Sequence, residues 1–132
     1  MNFKRRSIKG RSRKLYKEWR DETKQYRITW TREVCGVRVP PHFFATVRTI
    51  LPDGREMWDF AGRRGPYKTF KKATEECEMH KRLWTKAMES SGIRQLREVF
   101  GRLPLGMPVW VKKKIRRDLY ELLVTSTETG HD

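Results

Sequence analysis

The chain has 132 residues and carries 31 Lys+Arg against 16 Asp+Glu, a formal net charge of +15. Five Trp, six Phe and four Tyr are too many aromatics for a fully disordered chain, and this length suits one domain with an appendage that buries about two-thirds of its unfolded surface without staples. Two cysteines, Cys35 and Cys77, make no disulfide framework and point to an intracellular protein, cytoplasmic or in the nucleoid or nucleus; no secretory signal and no run of ~18 apolar residues is evident, so no membrane partner is expected.

Residues 1–14 hold Lys4, Arg5, Arg6, Lys9, Arg11, Arg13 and Lys14 with no acid among them. Like charges this dense resist folding alone, so the segment is expected to be a disordered, phosphate-binding arm. A short helix is expected from Ser12 to about Lys24, capped by Ser12, with Leu15, Tyr16 and Trp19 on one face. Tyr26, Ile28 and Trp30 alternate with Arg27, Thr29 and Thr31, which predicts a strand. Gly36 to Pro41 predicts a loop, and His42 to Ile50 a second strand. Pro52-Asp53-Gly54 predicts a turn into a third strand, Arg55 to Ala61, with Trp58 and Phe60 on one face.

Gly62 to Pro66 predicts a basic loop containing Arg63 and Arg64. Phe70, Ala73, Cys77, His80, Trp84 and Ala87 then recur at helical spacing, with Thr69 as N-cap and Gly92 as stop. Residues 92–124 are expected to be a helical appendage. One short helix is read through Ile93, Leu96, Val99, Phe100 and Leu103, ending near Gly101. The last helix starts at Pro108, with Ile115, Leu119, Leu122 and Leu123 as its apolar stripe. Residues 125–132 are expected to be a disordered tail.

The fold class expected is therefore α+β: a three-stranded antiparallel sheet packed on an amphipathic helix, in α-β-β-β-α order over residues 15–91, with the appendage after it. The net charge implies a nucleic-acid partner, because a polyanion offsets the self-repulsion of surplus cations. The start of the second helix carries Lys68, Lys71 and Lys72 where the helix dipole favours acids, an arrangement that an incoming phosphate would turn from cost to gain. Lys112, Lys113, Lys114, Arg116 and Arg117 form a further basic cluster around Ile115. All these cations are expected to converge on one surface.

Three places resemble the double-stranded RNA-binding domain, over residues 11–88. The first predicted helix carries Lys17, Glu18 and Arg20; Pro40-Pro41-His42 is similar to that family's Pro-x-His loop; Lys71-Lys72-Ala73 is similar to its lysine cluster. The resemblance implies contacts from Lys17, His42, Lys71 and Lys72 to duplex RNA, and a protein that accompanies or joins a ribonucleoprotein. A rival resemblance lies in Gly65-x-Tyr67-x-Thr69 followed by Ala73. It is similar to the strand-to-helix junction of three-stranded-sheet DNA-binding domains of the ethylene-response-factor and recombinase arm-binding type. That resemblance implies a sheet laid in the major groove, with Arg27, Arg48 and Arg55 as contacts, as in a DNA-binding regulator or recombination accessory.

A further mode is base stacking on Tyr26, Trp30, Phe44 and Trp58. A third function class is a protein-interaction module docking through residues 103–110, with Leu103, Leu105, Met107, Val109 and Trp110. Cys35, His42, Cys77 and His80 are chemically suited to zinc, but Cys77 and His80 fall on an apolar helix face, so no metal is expected. No Gly-rich phosphate loop, nucleophile elbow or carboxylate pair is evident, so no catalytic residue, enzyme activity or cofactor is expected. RNA is favoured over DNA at this level.

Overall fold

The computed structural model describes residues 1–10, 14–51, 53–62, 65–89 and 107–129. The elements are β1 (Phe3–Arg6), β2 (Tyr16–Asp21), β3 (Tyr26–Val34), β4 (Val37–Ile50), β5 (Glu56–Phe60), α1 (Phe70–Glu89), β6 (Met107–Pro108) and α2 (Val109–Thr129). The strands form one sheet in the order β1-β2-β3-β4-β5, with β6 paired to β4. This overturns the expected three-stranded sheet and its α-β-β-β-α order.

Two differences account for the change. Residues 16–21 are a strand where a helix was expected, because Tyr16-Lys17-Glu18-Trp19-Arg20-Asp21 alternates in register against β3, with Trp19 opposite Ile28 and Glu18 opposite Thr29. Phe3–Arg6, inside the expected disordered arm, pairs antiparallel with β2. Phe3 anchors that strand, its ring edge-on to Phe70 at 6.2 Å. The expected helix cap Ser12 lies outside the described residues.

The chain divides into two compact units, Met1–Arg48 with Trp58–Leu83, and Thr49–Met57 with Trp84–Asp132. In the first unit, α1 covers one face of the sheet. Phe70 packs edge-on against Trp19 at 5.0 Å and Phe43 at 6.1 Å. Ala73 and Cys77 are fully buried, as are Tyr26, Ile28, Ala45 and Val47. Tyr67 fastens the approach to the helix by two backbone hydrogen bonds with Phe43, each 2.8 Å. Thr69 Oγ1 then accepts from the Lys72 amide at 3.1 Å as the N-cap.

The β3–β4 hairpin closes through Cys35 and Gly36, with φ of 51° and 79°. Two successive residues in the left-handed region make the tight turn whose twist matches the strands. The loop expected over Gly36–Pro41 is thus strand. Pro40 and Pro41 sit where the register shifts between Thr31 and Glu33, a bulge that needs no donated N–H from them.

Asp21 organises the β2–β3 turn. Its Oδ1 accepts from the amides of Gln25 and Tyr26, each at 3.0 Å, and its Oδ2 accepts from Thr23 Oγ1 at 2.6 Å.

In the second unit, Thr49–Ile50 of β4 pair with Met107–Pro108. Ile50, Met107, Val109, Val111 and Ile115 form a buried cluster against which Trp84, Met88 and Trp110 pack. Asp53 and Gly54 make the expected turn, with Leu51 donating to the Arg55 carbonyl at 2.8 Å. Pro108 is in β6, not at the start of a helix, and α2 runs on to Thr129 through residues expected to be a disordered tail. The short helix read from Ile93 on lies outside the described residues, and so does Gly92, the expected stop of the helix before it. So do the side chains of Leu119, Leu122 and Leu123.

Two outcomes are expected from this packing. Asp21→Ala leaves two buried amides without this acceptor and costs about 2–6 kcal/mol in urea unfolding, at ~1–3 kcal/mol for each stranded donor; Asp21→Asn, which keeps an acceptor, costs less. Burial holds the His80 imidazole down at about 4 from its ordinary 6.5, against the opposing pull of Asp59. The unfolded chain therefore takes up this proton first. Stability falls as pH drops through that window and levels off below it. The stability advantage of the wild type over His80→Gln should shrink as pH falls from about 7 to about 4.5; a constant difference contradicts a buried neutral imidazole.

Candidate nucleic-acid interface

Side chains alternate across each strand, so residues paired directly across the sheet share a face. The face away from α1 carries Lys4 opposite Arg20, Arg20 opposite Arg27 and Arg27 opposite Thr46. The next row on that face is Arg6, Glu18, Thr29 and Phe44, and the row after it Tyr16, Thr31 and His42. The centre is Trp58 of β5. The Arg27 guanidinium lies 4.4 Å from its ring centroid and the Arg20 guanidinium 5.2 Å. Phe44 and Phe60 continue the patch with centroids 6.2 Å apart, and His42 meets Phe44 edge-on at 5.0 Å.

Glu18 ties this patch together. Its side chain is 3% exposed; Arg20 Nε lies 3.3 Å from Oε2 and Arg27 Nη1 3.4 Å from Oε1. Tyr16 Oη donates to the same Oε1 at 3.3 Å. Thr46 Oγ1 accepts from Arg27 Nε at 3.2 Å and donates to the Arg27 carbonyl at 3.1 Å. Burial lowers the Arg27 pKa from its ordinary value, while Tyr16 and Glu18 pull it back up; a guanidinium stays cationic regardless. One carboxylate thus faces two fixed guanidiniums, leaving a net positive charge whose donor edges are held in place by the Trp58 ring.

The structure divides the cations that were expected to converge. Lys4, Arg6 and His42 are on the open face. Arg5, opposite Trp19, and Lys17, opposite Trp30, are on the face that α1 packs against. Lys68, Lys71 and Lys72 are exposed at the start of α1, on that same side, and Lys72 Nζ already lies 3.9 Å from both Glu75 and Glu76. Lys14 is exposed in the turn before β2. Lys112, Lys113, Lys114, Arg116 and Arg117 belong to α2 of the second unit, around the buried Ile115. Arg11, Arg13, Arg63 and Arg64 lie outside the described residues.

The expected stacking set also splits. Tyr26 is buried and bonded to His80 Nδ1 at 2.9 Å. Trp30 lies opposite Phe43, under the Lys17 ammonium at 4.7 Å. Phe44 and Trp58 remain on the open face. Within the 103–110 segment, Met107 and Val109 are buried in the second unit's core and the partly buried Trp110 packs on it; Leu103 and Leu105 lie outside the described residues. Arg20 and Glu18 were missed as parts of the sheet face. The signal was there, in the two-residue alternation of 16–21.

Among the described residues, no group of three or more His, Cys, Asp or Glu could hold a metal ion, and no helix is long and apolar enough to cross a membrane. Burial pushes the Cys77 thiol up to about 12, which leaves it unreactive at neutral pH. Comparison of the chain with protein-family models, with curated proteins and with solved structures gives no match.

Removing the carboxylate should expose its role. Glu18→Leu is expected to cost about 2–3 kcal/mol in chemical denaturation, below the ~3–5 kcal/mol of a fully buried pair because both arginines reach solvent. The loss should be smaller in the presence of a polyphosphate, which supplies the missing counter-charge. Unchanged stability contradicts the arrangement.

Proposed function

We propose that this chain is a non-catalytic nucleic-acid-binding protein that lays the open face of its sheet into the major groove of duplex DNA. The observation that carries this reading is the Arg20–Trp58–Arg27 stack on a sheet face that α1 leaves uncovered. Two guanidiniums already lie on the Trp58 ring, so a base stacking there would have to displace them. What they offer outward is N–H donors, the chemistry that reads guanine edges or phosphates. Lys4 and Arg6, nearer the sheet edge on the same face, suit phosphate contacts that fix register.

A groove about 12 Å wide admits strands in B-form DNA, whereas the major groove of A-form RNA is too narrow for side chains to read. The preference for RNA leaned on a first helix, and residues 16–21 are a strand. The DNA reading keeps Arg27, one of the contacts implied by the resemblance to DNA-binding sheets, although this sheet has more than three strands, and it implies an intracellular protein.

A second reading, single-stranded RNA bound by stacking, has one observation in its favour: Phe60 is 37% exposed beside Phe44 on the same face. Binding to duplex DNA, duplex RNA and single-stranded RNA over a salt series separates the two. On duplex DNA, Arg27→Gln and Trp58→Leu should each weaken binding about tenfold, in line with ~1–3 kcal/mol for a base-reading arginine, while Phe44→Leu changes little. Full affinity in Arg27→Gln overturns the DNA reading. Preference for single-stranded RNA with a large loss in Phe44→Leu establishes the second.

A further inference from the structure

A second group of cations stands at the end of β1, most of it away from the open sheet face. Where β1 ends, the chain runs from Arg6 through Ser7, Ile8 and Lys9 alongside the first residues of β2. This course encloses a hollow of about 250 Å³ lined by Arg5, Arg6, Ser7, Lys9, Tyr16 and Lys17. Four cations line it, and no acid does among the described residues. None of the four is ion-paired with an acid among the described residues. The adjoining hollow, of about 430 Å³, also holds Arg5 and Arg6 but includes Asp21 and Glu22 in its wall, so its charge is partly compensated within the protein.

We infer that the hollow at the end of β1 is a binding site for a single phosphate group. Gathering four cations around an enclosed space raises the local positive potential, and only an anion lowers it again. Arg5, on the same side of the strands as Lys17, supplies a planar fork that matches phosphate oxygens, and Lys9 and Lys17 supply point charges; Arg6, on the other side, adds only to the local potential. The Lys17 ammonium is held over the Trp30 ring at 4.7 Å. The phosphate could belong to a nucleic-acid backbone, to the end of a strand or to a small phosphate compound. Only the first two rest on the nucleic-acid reading above.

The test is an amide NMR titration of the full chain with inorganic phosphate, with sodium chloride at equal ionic strength as the control. Phosphate should give saturable shifts at Arg6–Lys9 and at Tyr16 and Lys17, and chloride should not. In Arg5→Gln/Lys9→Gln the affinity should fall about tenfold or more, as expected when charge-assisted bonds are removed. Both side chains are exposed, and an otherwise unchanged amide spectrum confirms that the fold is intact; Lys9→Gln alone serves as a second, milder variant. Shifts that chloride reproduces, or that the variants leave unchanged, overturn the site.

Duplexes with 5′-phosphate and 5′-hydroxyl ends then identify the source. A preference for the phosphorylated end that the variant abolishes marks a strand end, and an equal loss on both marks the backbone. Unchanged duplex binding beside a saturable phosphate titration assigns the site to a small phosphate compound. Failure of the sheet-face reading shows separately, as full duplex DNA affinity in Arg27→Gln with the phosphate titration intact.

Discussion

One helix covers one face of this sheet, and the rest of the first unit follows from that asymmetry. Every strand that α1 packs against must keep apolar side chains on one side. Trp19, Ile28 and Ala45 line up across β2, β3 and β4 for this reason, with Tyr26 and Val47 beside them. Because the pleat repeats every two residues, a shift of one position would bury Glu18, Arg20 and Arg27 against the helix. Register and charge pattern are therefore the same constraint. The hydrophobic side fixes where the cations stand.

The other face is not simply a solvated polar surface. A solvated face would scatter mobile side chains, whereas here Glu18, Thr46 and Trp58 restrain two guanidiniums. Restraining them before a ligand arrives lowers the entropy lost on binding. Glu18 also limits the repulsion between the two arginines, which stand opposite each other across β2 and β3. The fold tolerates concentrated positive charge on the sheet because one carboxylate sits within it. The hollow beside Arg5, Lys9 and Lys17 has no carboxylate in its wall among the described residues, and that contrast separates the two basic regions.

Much of this was legible in the amino-acid order. The alternation in β3 and β5, the turn at Asp53 and Gly54, and the helix with its Thr69 cap all follow from local chemistry. β2 was hidden because Leu15, Tyr16 and Trp19 also fit helical spacing; six residues are too few to tell the periods apart without the partner strand. β1 was hidden by its charge. A single phenylalanine, Phe3, decides its fate, and the Phe70 ring it meets is 67 positions away. Met107 and Val109 read as an apolar segment awaiting a partner, and Ile50 of the same unit turns out to be that partner. Of the candidate site residues, strand parity sorts Lys4 and Arg6 from Arg5 and Lys17, and parity can be assigned only after the strands are known.

The central claim is that the uncovered sheet face, and not the helix side, meets the nucleic acid. The most direct measurement is the response of the Trp58 indole N–H and the Arg20 and Arg27 guanidinium signals to a short DNA duplex, followed by NMR. The account predicts saturable changes at these three side chains, with the Ala73 and Cys77 amides unmoved. Changes confined to Lys68, Lys71 and Lys72 at the start of α1, with Trp58 silent, would contradict it.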